Sequence, residues 1–333
     1  MTLPLLQIRD LHIRFQKDGA QLDAISDLSL DIERGSTTVV LGESGSGKSL
    51  TAKAVMGLLP PGAEVVSGSV RFDGRELVGL ADRELRRLRG DAIAMIFQDA
   101  LTALNPVTPI GNQIAEVHRI HERISKREAW SRAVASLDAV RIPDAARRAK
   151  DYPFQFSGGM RQRAMIAMAI TRNPDLLIAD EPTTALDVTV QAQILELLDD
   201  LRAERNLALL LITHDIGVAA QSADNAVVMY AGRLAERGTI GEILDEPAHP
   251  YTSGLLGSVP GPEHRGRDLP TIQGAPPSLD DLPGGCAFHP RCALATDVCR
   301  DRLPARTDFT TTHTTWCHHA EEALDGQPAA ATV

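Results

Sequence analysis

The chain has 333 residues, with 34 Lys and Arg against 44 Asp and Glu and a formal net charge of -10. This length suits one sizeable domain and a smaller one, and the acidic balance disfavours nonspecific binding to nucleic acid, which needs a basic face. The apolar runs fall far short of the roughly 20 residues that cross a bilayer. Arg9 and Asp10 also interrupt the short apolar start before the apolar core of a signal peptide could develop. We therefore expect the chain to stay in the cytosol.

The first informative element is an apolar strand predicted over Thr37 to Leu41, which runs directly into the residues GESGSGKS. These eight residues fit the phosphate-binding pattern G-x-x-x-x-G-K-[ST], and an apolar helix predicted over 50–59 follows. Glycines let backbone N–H groups turn inward around phosphates, and a helix N-terminus adds partial positive charge. Lys48 is expected to reach the β- and γ-phosphates and Ser49 to hold Mg²⁺. The candidate nucleotide-binding residues are Gly42, Glu43, Ser44, Gly45, Ser46, Gly47, Lys48, Ser49 and Leu50.

Two further apolar strands are predicted to end in polar residues. The run from Asp175 ends in Asp180 and Glu181, and the run from Leu209 leads to His214. Carboxyl ends of buried parallel strands open onto ligand sites. Asp180 is therefore expected to assist Mg²⁺, Glu181 to polarise the attacking water, and His214 to bond the γ-phosphate. Taken alone, each residue fits a surface turn equally well, but their order after the phosphate-binding loop favours the catalytic reading.

Between these strands lies the segment FSGGMRQR over 156–163. With it, residues 1 to about 320 resemble the nucleotide-binding subunits of ABC transporters. The resemblance implies an α/β fold, a P-loop NTPase cassette with a mixed-sheet RecA-like core and a helical subdomain, and an ATPase that uses ATP and Mg²⁺. Gln98 matches the Gln loop, which also contacts Mg²⁺, and Asp187 matches the D-loop. His214 matches the switch histidine, and Phe15 matches the aromatic residue that stacks on adenine.

The signature segment also has a physical interpretation. Ser157 and the amides of Gly158 and Gly159 precede a predicted helix, so they form a second anion-binding helix N-terminus. The resemblance implies a head-to-tail pair of cassettes in which each signature closes over the nucleotide of the other. Phe156 and Met160 depart from the LSGGQ consensus, but the residues that contact the anion are intact. Hydrolysis is therefore expected.

The predicted domain organisation has three parts. Residues 1–235 form the nucleotide-binding domain, and about 100–165 form its helical subdomain, which contains an amphipathic run from Ser125 to Val140. Gln98, at the junction, is suited to couple γ-phosphate contact to movement of that subdomain. Residues 236–320 form a C-terminal extension of the oligopeptide-importer type. The Ala-rich residues 321–333 are expected to be a flexible tail.

The C-terminal extension carries two further signals. Its segment HPYT, at 249–252, is similar to segments in ATPase subunits of dipeptide, oligopeptide and nickel importers. A Pro/Gly-rich stretch over 259–285 then leads to Cys286, Cys292, Cys299 and Cys317. Cytosolic conditions disfavour disulfides, and the spacing lacks the short knuckles of zinc sites. Four thiolates suit an iron-sulfur cluster, and the resemblance also implies a [4Fe-4S] cluster with a structural role. Zinc binding and unligated, packed thiols remain alternatives.

Together these features predict the ATPase subunit of an importer of di- or oligopeptides, peripheral to the cytoplasmic face of the cell membrane. The resemblance implies a homologous second ATPase subunit, two transmembrane permeases and, indirectly, an extracytoplasmic solute-binding protein. Nickel, glutathione or modified sugars are alternative cargoes. A soluble ABC ATPase of translation or DNA repair is a second alternative, disfavoured by the single uninterrupted cassette. A non-hydrolysing regulatory cassette is a third, opposed by intact Lys48, Asp180, Glu181 and His214.

Overall fold

The computed structural model of the protein describes residues 3–17, 19–184, 186–258 and 271–325. The strands are β1 (Leu6–Lys17), β2 (Ala20–Ile32), β3 (Thr37–Leu41), β4 (Ala63–Phe72), β5 (Arg75–Glu76), β6 (Ile93–Ile96), β7 (Leu176–Asp180), β8 (Ala208–Ile212), β9 (Asn225–Tyr230), β10 (Arg233–Thr239), β11 (Thr307–Asp308) and β12 (Thr314–Thr315). The helices are α1 (Lys48–Val55), α2 (Asp82–Leu88), α3 (Ala100–Ala103), α4 (Ile110–His121), α5 (Lys126–Ala139), α6 (Ala145–Arg148), α7 (Gly158–Ile170), α8 (Val188–Arg205), α9 (Ile216–Ser222), α10 (Ile240–Asp245), α11 (Pro250–Gly257), α12 (Asp297–Asp301) and α13 (Ala320–Leu324).

These elements fall into two compact units. The first takes in residues 32–36 and 79–212 with the start of the chain, and the second takes in 6–31, 37–78 and the chain from 213 onward. In the first unit, β8, β7 and β6 form a parallel sheet in that order, with Ile93 opposite Leu176 and Leu176 opposite Ala208. All three strands are buried along their whole length, as expected where both faces of a parallel sheet are covered. Their carboxyl ends share one edge of the sheet.

Helix α5 of the first unit buries one face. In α5 the buried residues are Ala129, Ala133 and Leu137, which recur every four positions and so lie along one stripe. The helix begins at Ser125, whose hydroxyl accepts the N–H of Glu128 at 3.1 Å. The predicted amphipathic run from 125 to 140 is therefore confirmed as a capped helix. The predicted helical stretch from 100 to 165 contains α3 to α6 and the start of α7.

The second unit contains two sheets. One is antiparallel, in the order β2-β1-β4-β5, and β1 alternates buried residues such as Leu6 and Ile8 with more exposed ones. The other has the order β11-β12-β10-β9-β3. In this sheet β3 and β9 are parallel whereas β9 and β10 are antiparallel, so the sheet is mixed. Helix α1 follows β3 through the glycine-rich loop and ends at Val55, earlier than predicted, because Gly57 takes a left-handed φ of 60°.

The C-terminal residues lie in the second unit with the phosphate-binding loop. The boundary predicted at residue 235 stays a prediction. Of the Pro/Gly-rich stretch, residues 259–270 lie outside the described residues, and so do residues 326–333 of the predicted flexible tail. Helix α13 covers the first residues of that tail. Among the helices in the described part of the chain, none combines the length and apolar character that crossing a membrane requires.

Candidate nucleotide-binding site

The phosphate-binding loop folds through three glycines with left-handed backbone angles, Gly42, Gly45 and Gly47. At Gly42 a Cβ atom would lie 2.3 Å from the carbonyl oxygen of Met229 and 2.8 Å from the hydroxyl of Ser46, so no larger residue fits. Gly47, with a φ of 101°, is the residue from which α1 begins. The sequence thus places glycine where the chain must turn sharply and where neighbouring backbone comes close.

Lys48 is held across the loop that precedes it. Its ammonium donates to the carbonyl oxygens of Gly42 at 2.7 Å and Glu43 at 2.9 Å, and the side chain is 5% exposed. These bonds fix a positive charge against the loop, and the contact of Lys48 with the β- and γ-phosphates stays a prediction. Ser49 and Leu50 follow in the first turn of α1, both half-buried, and Ser44 is exposed. The loop, the charge and the helix start therefore occur together, as the sequence predicted.

Gln98 and Glu181 meet in the first unit, although 83 residues separate them. The Gln98 side-chain amide donates to a Glu181 carboxylate oxygen at 2.8 Å, and the hydroxyl of Thr184 donates to the same oxygen at 2.9 Å. Glu181 has a left-handed φ of 47°, and its N–H donates to the carbonyl of Ile212. Such a conformation is unfavourable for a residue with a side chain and is kept where the surroundings fix it. Asp180, at the end of β7, is 4% exposed.

Of these two donors to Glu181, Gln98 was predicted as a site residue, for the γ-phosphate and Mg²⁺ and not as a partner of Glu181. Thr184 was missed, although it lies only three residues beyond Glu181. The available signal was a hydroxyl side chain in the turn that follows β7, close enough along the chain to donate to the carboxylate of Glu181.

The signature segment forms the start of α7. Ser157 is the N-cap residue, and its hydroxyl accepts the N–H of Met160 at 3.3 Å. A Cβ atom on Gly159 would lie 2.7 Å from a methyl group of Val190, whereas one on Gly158 would meet only Leu186 at 3.7 Å. Gly159 is thus required by packing against α8, and Gly158, which is exposed, leaves its amide accessible.

The remaining candidates lie at element ends or in a strand. Asp187 is the N-cap residue of α8, and its carboxylate accepts the N–H of Val190 at 3.0 Å. His214 is exposed in the turn after β8. Phe15 lies in β1 opposite Ala63 and is half-buried, so it is not a core residue. Their roles toward nucleotide stay predictions.

Known proteins match almost the whole chain. It is 48% identical over 314 residues to the dipeptide transport ATP-binding protein DppD of Bacillus subtilis, covering 94% of each chain. The chain belongs to the ABC transporter family. The family model for ABC transporters matches residues 25–184, and the model for the C-terminal region of oligopeptide/dipeptide transporters matches 235–299. The oligopeptide transport ATP-binding protein OppD of Salmonella typhimurium is 50% identical over 300 residues, or 90% of this chain and 89% of that protein.

A solved structure extends this to the fold. The dimeric, post-hydrolysis ATP-binding cassette MJ0796, bound to ADP and Pi, aligns with a TM-score of 0.64 at 27% identity. It covers 71% of this chain and 98% of that one. The predicted α/β P-loop cassette with a mixed sheet is therefore confirmed, and so is membership of an ATPase family.

The four cysteines of this ABC family member all lie in the C-terminal extension. Burial raises the pKa of Cys292 to about 11 and that of Cys317 to about 12, and the neighbouring thiols add to both shifts. The N–H of Cys286 donates to the carbonyl of Cys299 at 2.8 Å. Over the described residues, however, no group of three or more His, Cys, Asp or Glu side chains is arranged to hold a metal ion. The described residues therefore support neither the predicted [4Fe-4S] site nor the zinc alternative. The physical reason is that spacing along the chain does not determine how four thiols come together in the fold.

Proposed function

We propose that this chain is the ATP-hydrolysing subunit of an ABC importer that takes up di- or oligopeptides across the cytoplasmic membrane. The observation that carries the hydrolytic part is the Glu181 carboxylate, which Gln98 and Thr184 hold one residue beyond the buried Asp180. The transport part is supported by relatives named as dipeptide and oligopeptide transport proteins. It is also supported by the match of residues 235–299 to the C-terminal region of such transporters.

Each group has a role in the proposed reaction. Lys48 and the amides at the start of α1 bind the β- and γ-phosphates, and Ser49, Gln98 and Asp180 are the residues that would hold Mg²⁺. When bound, Mg²⁺ neutralises charge that spreads over the phosphate oxygens. Glu181 accepts a hydrogen bond from the water that attacks the γ-phosphorus. The bond from that phosphorus to the bridging oxygen then breaks, leaving ADP and phosphate.

We further propose a head-to-tail pair with a homologous ATPase subunit. Ser157, Gly158 and Gly159 start a 13-residue helix, and an exposed helix N-terminus favours an anion supplied from outside the chain. A similar solved structure is of a dimeric cassette, which supports pairing of two cassettes. Asp187 and His214 then contribute near the γ-phosphate, and Phe15 stacks on adenine.

The assembly proposed around this pair contains two transmembrane permeases and an extracytoplasmic solute-binding protein, with this subunit peripheral on the cytoplasmic face. The names of the relatives, which are ATP-binding components of transport systems, support it. The residues that act on ATP do not select the cargo, so peptide uptake is supported by the relatives rather than by the site.

Iron-sulfur ligation is a separate proposal, and no step of ATP hydrolysis depends on it. It is supported by the confinement of all four thiols to the extension and by donors to sulfur, such as the N–H of His319 to Cys317 at 3.3 Å. Protein purified without air should then show visible iron-sulfur absorbance that Cys286→Ser removes. A colourless protein, or one with stoichiometric zinc, would contradict it.

The experiment for the main proposal uses the assembled transporter with its binding protein. Glu181→Gln should retain ATP binding and lose phosphate release by about 10²- to 10⁴-fold, the usual contribution of a general base. Glu204→Gln, at an exposed position of α8, is the matched control and should hydrolyse ATP normally.

Three results would contradict parts of the proposal. Near-normal turnover by Glu181→Gln would remove Glu181 from its role. An assembled wild type that does not bind ATP would refute the ATPase function itself. Stimulation of hydrolysis by nickel complexes or glutathione, and not by peptides, would contradict the proposed peptide cargo.

A further inference from the structure

The second residue of the phosphate-binding loop is bound by a residue far along the chain. Arg291 donates from its two terminal nitrogens to the two carboxylate oxygens of Glu43, at 2.5 and 2.9 Å. The Arg291 side chain is 5% exposed and that of Glu43 is 28% exposed. A forked, largely buried contact of this kind is both stronger and more directional than a surface ion pair. The C-terminal extension thus holds the carboxylate of Glu43 in one orientation.

Arg291 is itself fixed by its surroundings. Its Nε donates to the carbonyl of Gln273 at 3.0 Å, and one terminal nitrogen donates to the hydroxyl of Tyr230 at 3.2 Å. The guanidinium carbon also lies 5.8 Å from the centre of the Tyr230 ring and 5.9 Å from that of Phe288, within the range of a cation–π contact. The guanidinium therefore has little freedom to leave Glu43.

Tyr251 makes a second contact with the same loop residue. Its hydroxyl accepts the backbone N–H of Glu43 at 2.8 Å. Tyr251 is fully buried, and its ring packs edge-on against Tyr230 at a centroid distance of 4.6 Å. The backbone N–H of Tyr251 donates to the ring of His249, which caps α11. The HPYT segment thus presents a rigid hydroxyl to the phosphate-binding loop.

Glu43 connects these contacts to the lysine of the loop. Its carboxylate binds Arg291, its N–H binds Tyr251, and its carbonyl accepts from the ammonium of Lys48 at 2.9 Å. A change in the position of Glu43 would therefore move an acceptor of Lys48. All of these residues belong to the second unit.

We infer that Arg291 and Tyr251 are positioning residues for ATP, which fix Glu43 and through it Lys48 before the nucleotide binds. The inference rests on the proposed ATPase function. Neither residue needs to touch ATP, because ordering the loop in advance lowers the free-energy cost of ordering it on binding.

The test compares ATP affinity in three single variants of the full chain within its assembled transporter. Arg291→Lys keeps the charge and loses the fork, Tyr251→Phe loses only the hydroxyl, and Glu43→Gln loses the carboxylate charge. Each should raise the Kd for ATP by about tenfold, which corresponds to about 1.4 kcal/mol and lies within the usual contribution of one hydrogen bond. Arg300→Lys is the matched control, because Arg300 is an exposed residue of the same extension that pairs with Asp297. It should leave the Kd unchanged.

A double variant separates positioning from general damage. Because Arg291→Lys keeps a charge that can still pair with Glu43, adding Glu43→Gln to it should raise the Kd by less than the two single increases combined if Arg291 acts through Glu43. Independent, additive increases would overturn the inference, and so would a Kd for ATP that is unchanged in both Arg291→Lys and Tyr251→Phe. A Kd increase that only follows a loss of folded protein, measured by thermal unfolding without ATP, would also overturn it.

Failure of the wild type to bind ATP would instead refute the proposed function. If Arg291→Lys does not fold, Tyr251→Phe decides the outcome, because it removes a single oxygen atom and leaves the ring packing in place.

Discussion

Replacing His313 with Ala removes the partner of a buried carboxylate in the second unit. The His313 ring nitrogen Nε2 lies 2.7 Å from Oε1 of Glu236, and the two side chains are 1% and 0% exposed. The hydrogen bond to Glu236 raises the pKa of His313, and the charges of Glu242 and Glu246 add to the shift. In the variant, Glu236 keeps the N–H of Ala248 at 2.6 Å as its recorded donor. A buried acidic side chain would thus lose its histidine partner.

Breaking a buried pair by removing one partner costs about 3–5 kcal/mol, and we expect the lower end because the Ala248 amide remains. For a unit of this size the loss of about 3 kcal/mol corresponds to a melting temperature lower by about 6–12 °C. The fluorescence of Trp316 is a local reporter, since the backbone N–H of this residue donates to the carbonyl of Ala235 in the neighbouring strand β10. His318→Ala is the control, because His318 is half-buried and its ring bonds the carbonyl of Arg302 rather than a carboxylate.

The pH dependence of the same variant tests the charge. A histidine whose pKa is raised on folding stabilises the fold fully below its unfolded pKa of about 6.5 and loses this contribution as the pH rises through the folded value. The stability difference between wild type and His313→Ala should therefore be largest near about pH 6 and smaller near about pH 9. A difference below about 1 kcal/mol at the lower pH, or one that grows with pH, would refute the reasoning.

Two further predictions concern the loop and a helix cap. Gly42→Ala should abolish ATP binding in a titration, because its Cβ would lie 2.3 Å from the carbonyl oxygen of Met229. Gly45 has open space around it, so Gly45→Ala should cost only the backbone strain, about 1–2 kcal/mol, and should weaken ATP binding less. Equal losses of ATP affinity in the two variants would count against the steric argument. Asp187→Ala should lower the free energy of unfolding by about 1 kcal/mol, through loss of the cap on the N–H of Val190. Asp187→Asn can still cap the helix and should keep the stability of the wild type. If chemical denaturation shows the same loss of unfolding free energy for Asp187→Asn as for Asp187→Ala, the cap is not responsible.

Local sequence was enough to predict three buried parallel strands and the phosphate-binding loop that follows the first of them. The runs that became β3, β7 and β8 are apolar, short and followed by polar or glycine residues, so their type and their ends were both encoded nearby. Ser125 and Ser157 are recognisable caps for the same reason, since each precedes a helical pattern. Phe156 was identified as a departure from consensus, and its 3% exposure shows that it is a core residue.

Contacts between distant segments were not predictable in this way. Nothing in the spacing of residues selects Arg291 among the arginines as the partner of Glu43, because 248 residues separate the two. The pairing of Glu236 with His313 is of the same kind, at a separation of 77. The four cysteines show the same limit, because their positions along the chain do not determine how the thiols come together, and the described residues hold no group arranged to bind a metal ion. Periodicity reports local conformation, whereas such contacts depend on how whole elements pack.

The contacts of Glu43 also account for why a Pro-rich extension shares a compact unit with the phosphate-binding loop. Three glycines of the loop hold left-handed angles, and fixing each backbone costs about 1–2 kcal/mol of conformational entropy. Arg291 gives Glu43 two charge-assisted bonds, each contributing about 1.5–3 kcal/mol, and Tyr251 adds a neutral bond that contributes about 0.5–1.5 kcal/mol. Their sum is similar to the entropy cost of fixing the three glycines. The extension can therefore offset the cost of ordering the loop before ATP arrives. It follows that substitutions in the extension should change the affinity for ATP by altering the geometry of the loop, even where no residue of the extension touches the nucleotide.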